Sequence, residues 1–215
     1  MTAVIQPGAI KGPSTDTLTA DYQYTTFLGE DGYLYTTGYN GHGAFGDGST
    51  TAATNFKTTI ALSKVKAARG GYYQISVLKK DGSLWSTGYN NYGQLGDGTV
   101  TTRKKFVRVI PSGVMDVSSS QGYTMVIKQD GSLWAAGYNN YGQLGDGTTT
   151  SRKTFVKVVD SGVKEASNGA SHSFLLNDKN KLCVTGYNGY GQLGTGNTAN
   201  VVGFNKKCYP RPGKP

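Results

Sequence analysis

The tripeptide Gly-Tyr-Asn occurs four times, beginning at Gly38, Gly88, Gly137 and Gly186, at intervals of 50, 49 and 49 residues. The text around it repeats almost verbatim. Residues 81–99 read DGSLWSTGYNNYGQLGDGT and residues 130–148 read DGSLWAAGYNNYGQLGDGT. An earlier copy starts at Asp31 (DGYLYTTGYNGHGAFGDGST) and a later one at Lys181 (KLCVTGYNGYGQLGTGNT). A unit of this size cannot bury a hydrophobic face alone, so units must stack on their neighbours, as in a propeller or solenoid. The period divides the chain into units 15–64, 65–113, 114–162 and 163–211 of a single repeat domain. Residues 1–14 remain as an arm or a ring-closing strand, and residues 212–215 as a tail.

Each unit carries material for four short strands. In the second unit these are Val65-Lys66-Ala67-Ala68, then 73–78, then Ser83-Leu84-Trp85-Ser86-Thr87 after an Asp81-Gly82 turn, and finally Phe106-Val107-Arg108-Val109-Ile110. Asp-Gly between runs of β-formers is a hairpin signal. The stretch 88–99 is too glycine-dense for a regular strand or helix and reads as an ordered excursion whose glycines allow positive φ or close backbone contact. No segment shows a helical period, so the expected class is all-β. No run of about 18 apolar residues is present, which argues against a membrane-spanning helix.

The pattern G-x-x-H-S-x-x-L…G-x-N-x-x-G-Q-L-G is most complete at Gly169, His172, Ser173 and Leu176, followed by Gly186-Tyr187-Asn188-Gly189-Tyr190-Gly191-Gln192-Leu193-Gly194. It resembles the repeats of the regulator of chromosome condensation family, which build β-propeller blades. The resemblance covers residues 15–211, about nine-tenths of the chain. Well-known members of that family have seven repeats and this chain has four. The resemblance therefore implies a closed four-bladed disc, an open arc, or a partial propeller completed by oligomerisation. Residues 4–8 (VIQPG) are similar to residues 109–113 (VIPSG), which would suit a strand lent to the terminal blade; the rival reading is an anchoring arm.

Aligning the units separates shared positions from individual ones. Trp85 aligns with Trp134, Tyr35 and Cys183, a packing slot, so Cys183 reads as a small buried hydrophobe rather than as half of a disulfide with Cys208 or a reactive thiol. His172 aligns with Tyr24, Gln74 and Tyr123, and His42 with Tyr92, Tyr141 and Tyr190; neither has a repeated carboxylate or nucleophile beside it. Asp47, Asp97 and Asp146 share a Gly-Asp-Gly position that is Thr195 in the last unit, which reads as a turn acceptor rather than a calcium ligand. Tyr39, Tyr89, Tyr138 and Tyr187, with Asn40, Asn90, Asn139 and Asn188, read as blade packing. His42, Tyr92, Tyr141 and Tyr190 are the candidates for an exposed binding face, because tyrosine gives broad contact area at small entropic cost.

Formal charge is +9, from 22 Lys+Arg against 13 Asp+Glu. Arg103-Lys104 and Arg152-Lys153 lie one period apart and would form a basic band on one rim, able to attract acidic polymers or simply to be solvated. No aromatic-interleaved nucleic-acid motif accompanies the band, so specific nucleic-acid binding is not expected. Two histidines and two glutamates make acid–base and metal chemistry improbable. No catalytic residue, cofactor or metal is expected, and the chain reads as a non-enzymatic binding or structural protein. Its Gly/Thr/Asn/Tyr-rich composition is similar to repeat proteins of the same family on tailed bacteriophages. That similarity implies a virion protein (tail fibre, receptor-binding or decoration) that recognises a host glycan or protein, alongside other virion proteins and as a homo-oligomer. Residues 1–14 lack the pattern of a secretory signal, so the other location expected is cytoplasmic, as a protein–protein scaffold. Guanine-nucleotide exchange with chromatin association, as in the best-known member, would need a projecting wedge loop for which the near-constant spacing leaves no room.

Overall fold

A computed structural model describes residues 18–59 and 62–210. They form sixteen strands and no helix. The first sheet consists of β1 (Leu18–Ala20), β2 (Tyr24–Leu28), β3 (Leu34–Gly38) and β4 (Ala53–Thr59). The second has β5 (Val65–Gly71), β6 (Gln74–Lys79), β7 (Leu84–Gly88) and β8 (Arg103–Ile110). The third has β9 (Val114–Ser119), β10 (Tyr123–Lys128), β11 (Leu133–Gly137) and β12 (Arg152–Val159), and the fourth has β13 (Val163–Asn168), β14 (His172–Asn177), β15 (Lys181–Gly186) and β16 (Cys208–Pro210). Each sheet is an antiparallel meander in chain order, the blade of a β-propeller.

The hairpin between the second and third strands of a blade shows why the local sequence folds this way. Asp81 Oδ1 accepts from the Ser83 N–H at 2.9 Å and the Ser83 hydroxyl at 2.6 Å, while Gly82 takes a φ of 77°. Ser83 Oγ in turn accepts from the Trp85 indole at 3.0 Å. Asp130, Ser132 and Trp134 repeat the arrangement one blade on.

The hydrophobic cores lie between blades. Leu34 and Phe45 of the first blade pack with Val65, Ile75 and Val77 of the second. Ala67, Leu78 and Leu84 of the second meet Val126 and Phe155 of the third. Met125, Leu133 and Leu144 of the third meet Leu175, Cys183 and Phe204 of the fourth. Burying a ring such as Phe204, 3% exposed, is worth roughly 1.5–3 kcal/mol. First strands of successive blades touch one another, which puts them on the inside of a curve and the fourth strands on the outside.

Packing joins blade one to two, two to three and three to four; among the described residues no comparable contact joins four back to one. Of the arrangements open from sequence, the described residues form the arc, and among them no such packing closes a four-bladed disc. The fourth-strand place of the last blade is filled by β16 from the chain's own C-terminal end. Residues 4–8, the other candidate for such a strand, lie outside the described residues.

Cys183 and Cys208 correct the sequence reading. Cys183 is buried as expected of its slot, but the two are joined in a disulfide. They sit directly opposite each other in the β15–β16 register. At the same register the other blades pair Tyr35 with Thr58, Trp85 with Arg108 and Trp134 with Lys157. The column containing Cys183 revealed a packing slot; its cross-strand partner became visible only once the three-residue β16 was placed in register.

Candidate functional site

Every third strand ends in a glycine with positive φ: 101° at Gly38, 100° at Gly88, 112° at Gly137 and 106° at Gly186. A β-carbon at Gly137 would lie 2.7 Å from the Tyr123 Cα and 3.0 Å from the Gln94 Cα, so the close passage of chain there requires glycine. The turn hands the chain to the following tyrosine, whose N–H bonds back across the blade: Tyr89 to the Tyr73 carbonyl at 2.9 Å, Tyr138 to Gly122 and Tyr187 to Ser171 at 2.8 Å.

The asparagine that comes next organises the loop from inside. Asn90 is fully buried; its Oδ1 accepts from the Leu95 N–H at 3.0 Å and its Nδ2 donates to Asp97 Oδ1, the Thr99 carbonyl and the Thr101 carbonyl at 3.1–3.2 Å. Asn139 makes the same set with Leu144, Asp146, Thr148 and Thr150. Two residues after this asparagine, the second tyrosine is aimed outward by a glutamine: Gln94, Gln143 and Gln192 accept from the N–H groups of Tyr92, Tyr141 and Tyr190 at 3.0, 3.0 and 2.9 Å.

The consequence is a continuous aromatic track across all four blades. Tyr39 meets His42 (ring centroids 5.9 Å), and His42 meets Tyr89 of the next blade (5.0 Å). Tyr89 meets Tyr92 (6.1 Å), which crosses to Tyr138 (4.9 Å). Tyr138 meets Tyr141 (6.3 Å), which crosses to Tyr187 (5.0 Å), and Tyr187 ends on Tyr190 (5.9 Å). Edge-on and tilted pairs at these separations are favoured by ring quadrupoles. Tyr92 and Tyr141 are 43% and 37% exposed and Tyr190 is 89% exposed. The structure therefore places His42, Tyr92, Tyr141 and Tyr190 along a single line. Tyr22, Tyr72 and Tyr73 thicken its first end, with ring contacts of 4.3–6.0 Å. Sequence reasoning missed these three; their signal is their place just before the second strand, which the Tyr89–Tyr73 backbone bond brings to the same rim.

Burial, and then the neighbouring phenols, push the Tyr89 and Tyr138 hydroxyls above the ordinary tyrosine value. Burial also lowers the His172 imidazole, favouring its neutral form. His172 lies away from the track, in contact with Phe174.

The basic band divides. Arg103 and Arg152 are held by the loop carboxylates: Arg103 Nε and Nη2 each lie 2.7 Å from Asp97 Oδ2, and Arg152 repeats this on Asp146 at 2.8 and 2.7 Å. Both nitrogens converge on one carboxylate oxygen, a charge-assisted contact. Asp97 and Asp146 also take the turn bonds, accepting from the Thr99 and Thr148 N–H groups at 3.0 and 2.9 Å. Burial acts upward on both carboxyls, but hydrogen bonds from threonine and arginine outweigh it and hold them below the usual carboxylate range. Lys104 and Lys153, by contrast, are exposed.

Among the described residues no three His, Cys, Asp or Glu side chains are grouped to hold a metal ion. A cavity of about 560 Å³ lies against the third and fourth blades, lined in part by Asp146, Lys157, Asp178 and the disulfide.

A family model for the regulator of chromosome condensation (RCC1) repeat matches residues 81–127 and 130–176. No curated protein matches the chain. Among solved structures, yeast RCC1 (Prp20) bound to Kap60 superposes with a TM-score of 0.75 at 19% identity, over 90% of this chain and 49% of that one. Prp20p from Saccharomyces cerevisiae, described with its binding properties to Gsp1p and histones, gives 0.75 at 19% over 92% and 52%. Human WBSCR16 gives 0.74 at 20% over 88% and 52%. The chain thus spans about half the length of these structures.

Proposed function

The chain carries RCC1 repeats over residues 81–127 and 130–176, and from that premise we propose that it is a non-catalytic binding module whose recognition surface is the tyrosine track. The unbroken line of rings from Tyr39 to Tyr190 carries this reading. A row of part-exposed rings, carried on loops that buried asparagines brace from inside, offers repeated stacking faces and phenol hydrogen bonds without a charge requirement. That suits an extended, neutral polymer, and a host-surface glycan fits it best. The finer reading is attachment of a virion to its host, as tail fibre, receptor-binding or decoration protein; composition supports it. Tyr92→Ala and Tyr141→Ala remove exposed rings without touching a core. Each should weaken glycan binding on an array about fivefold to tenfold, the usual scale for an aromatic contact of about 1 kcal/mol. Absence of binding to arrayed glycans and to host envelope material, or binding that both variants leave intact, would reject the track.

The solved neighbours favour a second reading. The structure of yeast RCC1 with Kap60, and the reported binding of Prp20p to Gsp1p and histones, make a protein partner the alternative ligand class. An intracellular scaffold would show a protein partner retained on the chain and lost with the same two substitutions, and no glycan binding.

A further inference from the structure

Each blade presents a socket to the blade after it, and the joint is built three times in the same way. The glycine loop of one blade lies under the fourth strand of the next, or in the last blade under the segment that leads into it: a β-carbon at Gly43 would meet the Lys104 backbone, at Gly93 the Lys153 backbone, and at Gly142 Val202. Three residues along the loop, Gly46, Gly96 and Gly145 lie against the rings of Phe106, Phe155 and Phe204. Main-chain bonds seal the joint, from the Gly48 N–H to the Lys104 carbonyl at 2.8 Å and from the Gly98 N–H to the Lys153 carbonyl at 2.9 Å.

The two ends of the arc each hold half of this joint. In the last blade Gly191 and Gly194 keep the loop conformation, with φ of 75° and 65°, yet nothing described lies within 4 Å of where a β-carbon would stand. Tyr190, whose equivalents Tyr92 and Tyr141 cross to the next blade, is 89% exposed. In the first blade Phe56 has the register of Phe106 and Phe155, three residues past the residue opposite the blade's glycine (Ala53, Arg103 and Arg152). It stands 42% exposed, touching only Phe27 among the described rings. Charge does not oppose their meeting: residues 189–200 carry none, and residues 51–58 carry only Lys57.

We propose that the partner of each end is the opposite end of a second copy, Phe56 of one chain seating on Gly191 and Gly194 of the next. Tyr190 then meets Tyr39 of that copy, continuing the aromatic track. A head-to-tail contact either closes a ring or runs on as a filament. Four blades here match 49–52% of the propeller chains they superpose on, so a second copy would supply a comparable remainder, and the assembly is a closed pair of eight blades.

Sedimentation equilibrium of the full chain tests this, with a mass of twice 22.8 kDa expected. Phe56→Asp and Gly194→Asn each spoil one half of the joint at a position open to solvent; asparagine tolerates the positive φ. Each should weaken association at least about thirtyfold, the scale of a central hot spot, with the circular dichroism of the sheets unchanged. An equimolar mixture of the two variants retains one intact joint and should recover a heterodimer that neither forms alone. A wild-type monomer at about 100 µM, a ladder of larger masses, or a dimer insensitive to both substitutions would each overturn the proposal. A monomer that captures a different chain at Gly194 would overturn it too.

Discussion

Asn139 is the place to test whether the loops are held from within. Its side chain is fully buried and saturates four partners: Oδ1 accepts from Leu144 N–H at 2.9 Å, and Nδ2 donates to Asp146 Oδ1, the Thr148 carbonyl and the Thr150 carbonyl at 3.1 Å each. Asn139→Ala orphans the buried Leu144 N–H, at about 1–3 kcal/mol, and frees two carbonyls near the surface that water partly satisfies, at about 0.5 kcal/mol each. The sum is about 3 kcal/mol, or a fall in Tm of roughly 6–12 °C for a chain of this length. Asn139→Asp is the sharper probe. It keeps the shape and the acceptor for Leu144 but sets a carboxylate against Asp146 and two carbonyls, so it should cost at least as much as alanine, although it changes the volume less. Urea unfolding followed by the fluorescence of Trp134, in the same blade, measures both, with the denaturant slope checked for constancy. An alanine variant within about 1 kcal/mol of wild type, or an aspartate variant more stable than alanine, would refute the argument.

Two further outcomes follow from the same loops and from the last strand. Asp97 and Asp146 have carboxyls depressed below their unfolded range, so their contribution is complete above roughly pH 4–5 and lost as pH falls through the folded values. Arg103→Met with Arg152→Met should flatten that acid limb of a stability–pH profile, and an unchanged limb would show that the arginines do not hold the carboxylates. The Cys183–Cys208 bridge closes a span of 25 residues, which the chain-entropy estimate values at about 3.5 kcal/mol. Cys183→Ala with Cys208→Ala, or a reductant reaching the exposed Cys208, should lower the urea midpoint accordingly, and no change would mean that β16 is held by its other contacts.

The repeat period and the alternation within each unit were enough to give an all-β chain of stacked units, because hairpin turns such as Asp81-Gly82 and pleat-wise burial depend on residues close in sequence. The same reasoning placed tyrosines at Tyr92, Tyr141 and Tyr190 as candidates, since repetition marks a position whatever it does. Tertiary structure alone decided Tyr92 against Tyr138, Phe106 on Gly46 and an arc in place of a closed disc across units, and Arg103 against Asp97 and Cys183 beside Cys208 within one. Those depend on the rotation between sheets some 50 residues apart and on strand register. Both are collective outcomes of packing, and no single residue type declares them.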